Sequence, residues 1–328
     1  MILLKLLVLT ILSAVGLYYL RLYLKGNLCH IKTRIDGKVV LITGANTGIG
    51  LETAIELAKR GGIIHMGCRN QQKCLTARNQ VLLQSKVDES KVFTHTVDLA
   101  SIKSILSFTK KFKHSFTKLD VLINNAGIMM CPYLETEDGF EMQIGVNHLG
   151  HFLLTNELLD VIKNTEKSRI IIVSSRAHLH GLINETDLNL RGDNYGRLSA
   201  YGQSKLANIL HARHLAKILQ PFGVAVVSLH PGVVSTELIR YLPGIEYLEY
   251  ARPVFNFLIK TAYEGSQTSV CCAVNPDLHK LSGQYFSDCQ PIESTNSQAK
   301  DDNLAEFLWK HSTDLIDSKM KSLNQNIL

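Results

Sequence analysis

Short runs of four to seven mostly apolar residues alternate along this chain with longer stretches in which apolar positions return every three or four residues. The short runs, Val39–Thr43, Ile63–Cys68, Val92–Val97, Val121–Asn124, Ile170–Ser174 and Val224–His230, read as strands. The longer ones, Ile49–Arg60, Gln71–Gln84, Ile102–Phe112, Phe140–Ile162 and Leu198–Gln220, read as helices. Strict alternation of strand and helix predicts right-handed crossovers and a doubly wound parallel sheet in three α/β/α layers. Near-continuous apolar strands such as Ile170-Ile171-Ile172-Val173 are what a sheet covered on both faces requires.

Ahead of that pattern lies an uncharged, leucine-rich run, Leu6–Leu20, with Lys5 before it and Arg21, Lys25, Lys32 and Arg34 after it. About 15 uncharged residues fall short of the ~20 that a span needs, although apolar character continues through Leu22 and Leu24. A cleaved signal peptide needs a small-x-small site, and Tyr18-Tyr19-Leu20-Arg21 offers none. Residues 1–24 are therefore expected to form a membrane anchor, 25–36 a basic linker and 37–328 one domain. The positive charge after the anchor places that domain on the cytosolic side.

Composition narrows the picture further. With 45% hydrophobic and 20% charged residues in 328, the chain can bury a full core. The net charge of +6 is scattered, which argues against nucleic acid as a partner. Seven cysteines without a CxxC pair suggest reduced thiols, with neither a disulfide frame nor a metal site.

The candidate chemistry begins at Thr43-Gly44-Ala45-Asn46-Thr47-Gly48-Ile49-Gly50, which closes the first strand and opens the first helix. Glycines there let the backbone approach a pyrophosphate held on the helix N-terminus, so Gly44, Asn46, Thr47, Gly48, Ile49 and Gly50 are assigned to a dinucleotide in a Rossmann-type fold. The second strand ends at Arg69, where an NAD site would carry an acid for the ribose 2′-hydroxyl. A guanidinium there favours the 2′-phosphate of NADP(H). Asp98 is a candidate for the adenine, or else the N-cap of the helix beginning near Ile102. Tyr201 and Lys205, four apart on a helix, share one face, and an ammonium beside a phenol draws its pKa toward neutrality.

Thr43–Gly50, Asn124-Asn125-Ala126-Gly127, Asn147, Ser174-Ser175 and Tyr201/Lys205, in this order, resemble the short-chain dehydrogenase/reductase family from about Gly37 to Phe286. The resemblance implies a tetrad of Asn147, Ser175, Tyr201 and Lys205. Tyr201 would exchange the proton with the substrate oxygen, and Ser175 would hydrogen-bond that oxygen. Lys205 would lower the Tyr201 pKa and bind the nicotinamide ribose, while Asn147 would hold a relay water. It also implies cofactor contacts from Asn125, Ala126, Gly127, Pro231 and Thr236. The interval from Ser175 to Tyr201 (201 − 175 = 26) exceeds the family's usual one, so His178–Leu198 must loop out, as a pocket wall or as a surface excursion.

Asn147-His148-Leu149-Gly150-His151-Phe152 and His230-Pro231-Gly232-Val233-Val234 are similar to the membrane-anchored retinol dehydrogenase group. That similarity implies an NADP(H)-dependent oxidoreductase for retinal and retinol, or a similar apolar aldehyde and alcohol. A steroid or lipid-aldehyde carbonyl reductase is the alternative, and a non-catalytic cofactor-binding membrane protein a remote one. It further implies an intracellular membrane, of the endoplasmic reticulum or else mitochondrial, and pairing as a homodimer for which the anchor could substitute. A lid is expected near 235–260, with Tyr241, Tyr247, Tyr250, Phe255 and Phe257 making it apolar together with Leu242, Leu248 and Leu258. The tail with Phe307-Leu308-Trp309 reads as a closing helix.

Overall fold

A computed structural model describes residues 2–241 and 257–325. Helix α1 (Ile2–Lys25) leads through an extended linker to β1 (Val39–Thr43), α2 (Gly48–Lys59), β2 (Ile63–Cys68), α3 (Gln71–Ser85), β3 (Val92–Thr96), α4 (Ile102–Ser115) and β4 (Val121–Asn124). Then follow α5 (Gly150–Glu157), α6 (Leu159–Lys163), β5 (Arg169–Val173), α7 (Arg197–Leu219), β6 (Ala225–His230), α8 (Ala262–Val274), β7 (Tyr285–Ser287), β8 (Gln290–Ile292) and α9 (Asp302–Gln325). Among the described residues the sheet runs β3-β2-β1-β4-β5-β6-β7-β8, parallel through β7 and antiparallel at β8. The Rossmann-type doubly wound architecture is therefore as expected, with an added edge hairpin whose three-residue strands carry no readable period.

Successive side chains of a strand point to opposite faces, and the core divides accordingly. Val40, Ile42, Ile123, Ile171 and Val227 pack with α2, α3 and α8. Leu41, Leu122, Ile170, Ile172 and Val226 pack with α4, α5 and α7 on the other side. Each fully buried aliphatic side chain contributes about 1.5–3 kcal/mol, enough to set strand register outright. The single helix expected over Phe140–Ile162 is interrupted instead. Gly145–Leu149 forms a π-helical turn, and at Gly150 any side chain would run into the Leu99 carbonyl. Close approach of α5 to Leu99 requires glycine there, and the π turn accommodates the extra residue.

One expectation needs correction, and it concerns the cysteines. Cys68 and Cys74 are joined by a disulfide between the end of β2 and the first turn of α3, with Cα atoms 6.0 Å apart. The turn through Arg69 and Asn70 brings them together, which their spacing did not signal; the other five cysteines are free thiols. Helix α1 is present, yet among the described residues no helix is long and apolar enough to cross a membrane. The tail does close the domain: Leu304, Ala305 and Leu308 of α9 are buried, and Trp309 packs against Phe152, its ring centroid 4.9 Å away. Of the lid, Leu242, Tyr247, Leu248, Tyr250 and Phe255 lie outside the described residues, while Tyr241 and Leu258 are exposed. Around that segment, Val234 and Lys260 pair in a parallel bridge.

The core also buries histidines. His65 stacks on Phe93 and lies against Phe116 at 4.4 Å, and its Nδ1 meets His95 Nε2 at 2.9 Å. Burial pushes His65, His148 and His151 down to about 3 and His95 to about 4. Unfolded, each takes a proton near ~6.5. The native state thus binds fewer protons than the unfolded chain between about pH 6.5 and about pH 3. Stability is full above that window and is lost as pH falls through it, by up to ~1.4 kcal/mol per pH unit per histidine. Urea midpoints should hold from about pH 7.5 to about pH 6.5 and drop steadily from there to about pH 5, and unchanged midpoints would mean that these imidazoles titrate as in water.

Candidate active site

Strands β1 and β4 end side by side, and the chain leaves them toward opposite faces of the sheet, α2 on one side and α5 on the other. Such a switch point opens a crevice at the carboxyl ends of the strands. Here it is a cavity of about 620 Å³. Thr43 organises its floor: its Oγ accepts from the backbone N–H of Asn125 at 2.9 Å and of Ala126 at 3.0 Å. The Asn125 amide in turn donates to the Thr43 carbonyl at 2.8 Å. The loop after β4 is thereby pressed so closely on the glycine turn that a side chain on Gly44, at φ +65°, would lie 2.9 Å from Ala126 Cα.

Gly44, Asn46, Thr47, Gly48, Ile49 and Gly50 all line this cavity, as do Arg69, Asp98, Asn125, Ala126, Gly127 and Thr236. Thr47, the N-cap of α2, makes no capping hydrogen bond with its side chain, which leaves first-turn amides of the helix open toward the crevice. Open amides with a positive dipole end suit an anionic pyrophosphate, so these residues fit a dinucleotide. Asp98 does not cap α4, because Ser101 does, accepting from Ser104 N–H; the carboxylate of Asp98 instead accepts from Ala100 N–H at 3.0 Å. Pro231 is buried but does not line the cavity.

The four tetrad residues lie together beyond Gly127 rather than on the cavity wall. Tyr201 and Lys205, on α7, are 4% and 3% exposed. Lys205 Nζ donates to the Val173 carbonyl at 3.1 Å and sits 5.8 Å from the Tyr201 ring centroid. Ser175 follows β5 and faces the Tyr201 phenol. The Ser174 hydroxyl is committed to the Lys205 carbonyl at 2.7 Å, which favours Ser175 of the pair. Asn147 stands in the π turn, where its amide pins the loop after Gly127. Oδ1 accepts from Ile128 N–H, and Nδ2 donates to the Ile128 carbonyl and the Ser204 hydroxyl, each at 2.9 Å. A side chain on Gly127 would lie 3.2 Å from Asn147 Oδ1 and 3.5 Å from Lys205 Nζ, so this glycine joins the cavity to the tetrad.

Electrostatics at the pair differ from the expectation. Burial pushes the Tyr201 phenol up to about 12, with Ser175 acting the other way, and pushes the Lys205 ammonium down to about 8. Taking either charge out of water costs more at this separation than the ammonium returns to the phenolate. Each group is thus displaced toward its neutral form.

The insertion His178–Leu198 is anchored rather than loose. Ile183 and Leu188 are buried against α7 and α9, and Gln203 binds both the Asn184 N–H and the Leu188 carbonyl. Tyr195 donates to the carbonyl of Cys131, a residue of the cavity wall, at 2.8 Å, and receives Gln143 Nε2 at 3.1 Å. Neither Gln143 nor Tyr195 carries a sequence signal, since 52 residues separate them. Lys73 was legible but overlooked: four residues after Arg69, it reaches the same cavity from the first turn of α3. Among the described residues neither Arg69 nor Lys73 forms an ion pair.

Comparison with known proteins gives the same outline. The family model for short chain dehydrogenases matches residues 38–243. Human retinol dehydrogenase 11 is 45% identical over 298 residues, covering 90% of this chain and 91% of its own. Human retinol dehydrogenase 13 is 44% identical over 310 residues, covering 93% and 92%. Among solved structures, an uncharacterised protein from Mycobacterium paratuberculosis superposes with a TM-score of 0.71 at 33% identity, covering 89% of this chain and 98% of that one. The chain belongs to the short-chain dehydrogenase family, in its retinol dehydrogenase group, and is an oxidoreductase acting on CH–OH groups.

Proposed function

We propose that this protein interconverts retinal and retinol, or a similar apolar aldehyde and alcohol, with NADP(H), using Tyr201 as the acid/base. The observation that carries this reading is the buried pair Tyr201 and Lys205, with the half-buried Ser175 against the phenol, reached through Gly127 from a crevice built for a dinucleotide. When bound, the cofactor supplies or accepts a hydride. The protein's own residues do the rest. Ser175 holds the substrate oxygen by a hydrogen bond, and the Tyr201 phenol gives it a proton on reduction or takes one back on oxidation. A phenol kept protonated by burial is in the form that donates to the substrate oxygen on reduction. Lys205, drawn down toward about 8, lies close enough to neutral pH to replace that proton. The apolar substrate follows from the relatives named as retinol dehydrogenases.

The preference for NADP(H) rests on Arg69 and Lys73, two unpaired cations at one end of the crevice with no acid at the end of β2. Each charge-assisted hydrogen bond to a 2′-phosphate contributes about 1.5–3 kcal/mol. Attachment to a lipid surface rests on α1, whose Leu9, Leu12, Tyr18, Tyr19 and Tyr23 are 61–84% exposed.

Two outcomes are expected. Tyr201→Phe should lower kcat for all-trans-retinal reduction by ~10³-fold, within the range of acid–base effects, while leaving NADPH affinity within about threefold. Near-normal turnover would sink the mechanism. Arg69→Ala with Lys73→Ala should weaken NADPH binding by ~10²-fold or more and leave NADH binding almost unchanged, as titration of cofactor fluorescence would read. Equal loss for both cofactors would mean that these cations do not recognise the 2′-phosphate.

A further inference from the structure

His151 is buried on α5, one helical turn after Asn147, and both of its ring nitrogens have partners. Nε2 lies 2.8 Å from Thr43 Oγ, and Nδ1 lies 3.1 Å from the backbone oxygen of Asn147. The tautomer follows from counting hydrogens. A hydroxyl has one proton and two lone pairs, and both lone pairs of Thr43 are taken by the N–H groups of Asn125 and Ala126. Its proton has two acceptors in reach, the Ile123 carbonyl at 3.4 Å and His151 Nε2 at 2.8 Å, and the shorter contact wins. Nε2 is therefore the bare nitrogen, and Nδ1–H donates to Asn147. The Asn147 peptide is then fixed on both sides, by its own amide to Ile128 and Ser204 and by its carbonyl to His151.

We propose that His151 is a positioning residue for proton and hydride transfer: as the Nδ1–H tautomer it ties the π turn carrying Asn147 to Thr43, and through Thr43 to the loop Asn125–Gly127. This loop both lines the cofactor cavity and, at Gly127, abuts Lys205 Nζ. Thr43 holds one side of it and Asn147 holds the other, so His151 sets the distance between its two supports. The chain of hydrogen bonds ends at two backbone amides rather than at a titratable group or at solvent, so it transmits position and not protons. A shift of ~1 Å between supports of a reacting site is enough to cost ~10²-fold in rate. The inference deepens the proposed function, because the tetrad of that reading is what His151 aligns.

The test uses the full-length protein. Histidine ¹⁵N NMR, with the His151 signal assigned by its loss in His151→Gln, should show protonated Nδ1 and bare Nε2 at neutral pH. A protonated Nε2 would overturn the proposal. In kinetics, His151→Leu should lower kcat with retinal and NADPH by ~10–100-fold, while KM and the NADPH dissociation constant stay within about threefold. His151→Gln, whose amide offers one donor and one acceptor, should recover most of that loss. Loss of affinity without loss of kcat, equal defects in the two variants, or wild-type kcat in His151→Leu would each overturn it. If His151→Leu does not fold, Thr43→Val in the wild-type and His151→Gln backgrounds decides. Non-additive effects on kcat support the tie through Thr43, and additive effects refute it. Wild-type protein inert toward retinal would defeat the substrate reading alone, since the NMR signal and the NADPH titration still report on His151.

Discussion

The Thr43 hydroxyl makes three hydrogen bonds at the point where β1 and β4 end, and the geometry of the crevice depends on all three. A typical buried hydrogen bond contributes only about 1 kcal/mol net, but a buried donor left without its partner costs about 1–3 kcal/mol. Two amides of the Asn125–Gly127 loop and one imidazole would be stranded together by the loss of this one oxygen. The asymmetry explains why so much is hung on it. Strand β1 is rigid and buried on both faces, so a hydroxyl at its last residue is as fixed a reference as the fold provides. The glycine turn leaves from the same residue, and the two halves of the crevice are therefore measured from one atom.

Beyond that loop the governing term is desolvation. Burial favours the neutral form of both Tyr201 and Lys205, pushing the phenol up to about 12 and the ammonium down to about 8. The site thus opposes charge at rest and places polar groups beside each of the two. Ser175 faces the phenol, while the Val173 carbonyl and Gly127 face the ammonium. Asn147, expected to serve by holding water, has both amide hydrogens and one lone pair of its amide oxygen bonded to protein partners. Its contribution visible here is to hold the backbone at Ile128.

Strands, helix boundaries and the glycine turn were legible because each follows from local pattern. Apolar runs set β1, β2 and β4 to the residue, and glycines mark where the backbone must turn or be approached. Arg69 and the Tyr201/Lys205 pair were legible for the same reason, since strand end and helix face are local facts. The π turn was not, because it answers to the packing of Gly150 on Leu99, 51 residues away. Nor was the disulfide, which depends on how sharply the chain turns after β2. Nor was the burial that pushes the Tyr201 phenol up, because spacing shows a neighbouring ammonium and conceals how thoroughly both groups are dried. His151 stood in a motif already singled out, yet its role depends on Thr43, 108 positions away.

An ion pair joins the N-terminal helix to this machinery. The Arg21 guanidinium reaches both oxygens of Glu264, at 2.7 and 2.6 Å, and the same carboxylate accepts from Thr261 N–H to complete the capping box of α8. An exposed ion pair would contribute little, but here the two side chains are only 22% and 13% exposed and share a fixed geometry. Burial raises the Glu264 carboxyl, and Arg21 and Thr261 more than reverse it, holding it below the usual carboxylate range. The next residue, Gly265, is packed so tightly that a side chain there would strike Val234 and Ile49, the latter in the first turn of α2. Arg21 therefore fixes the end of α1 to the helix that braces the cofactor turn. The linker adds to this joint, since Cys29 N–H donates to Gln267 of the same helix and Ile35 is buried in the core, so the end of α1 and the chain that follows it are both held against the domain.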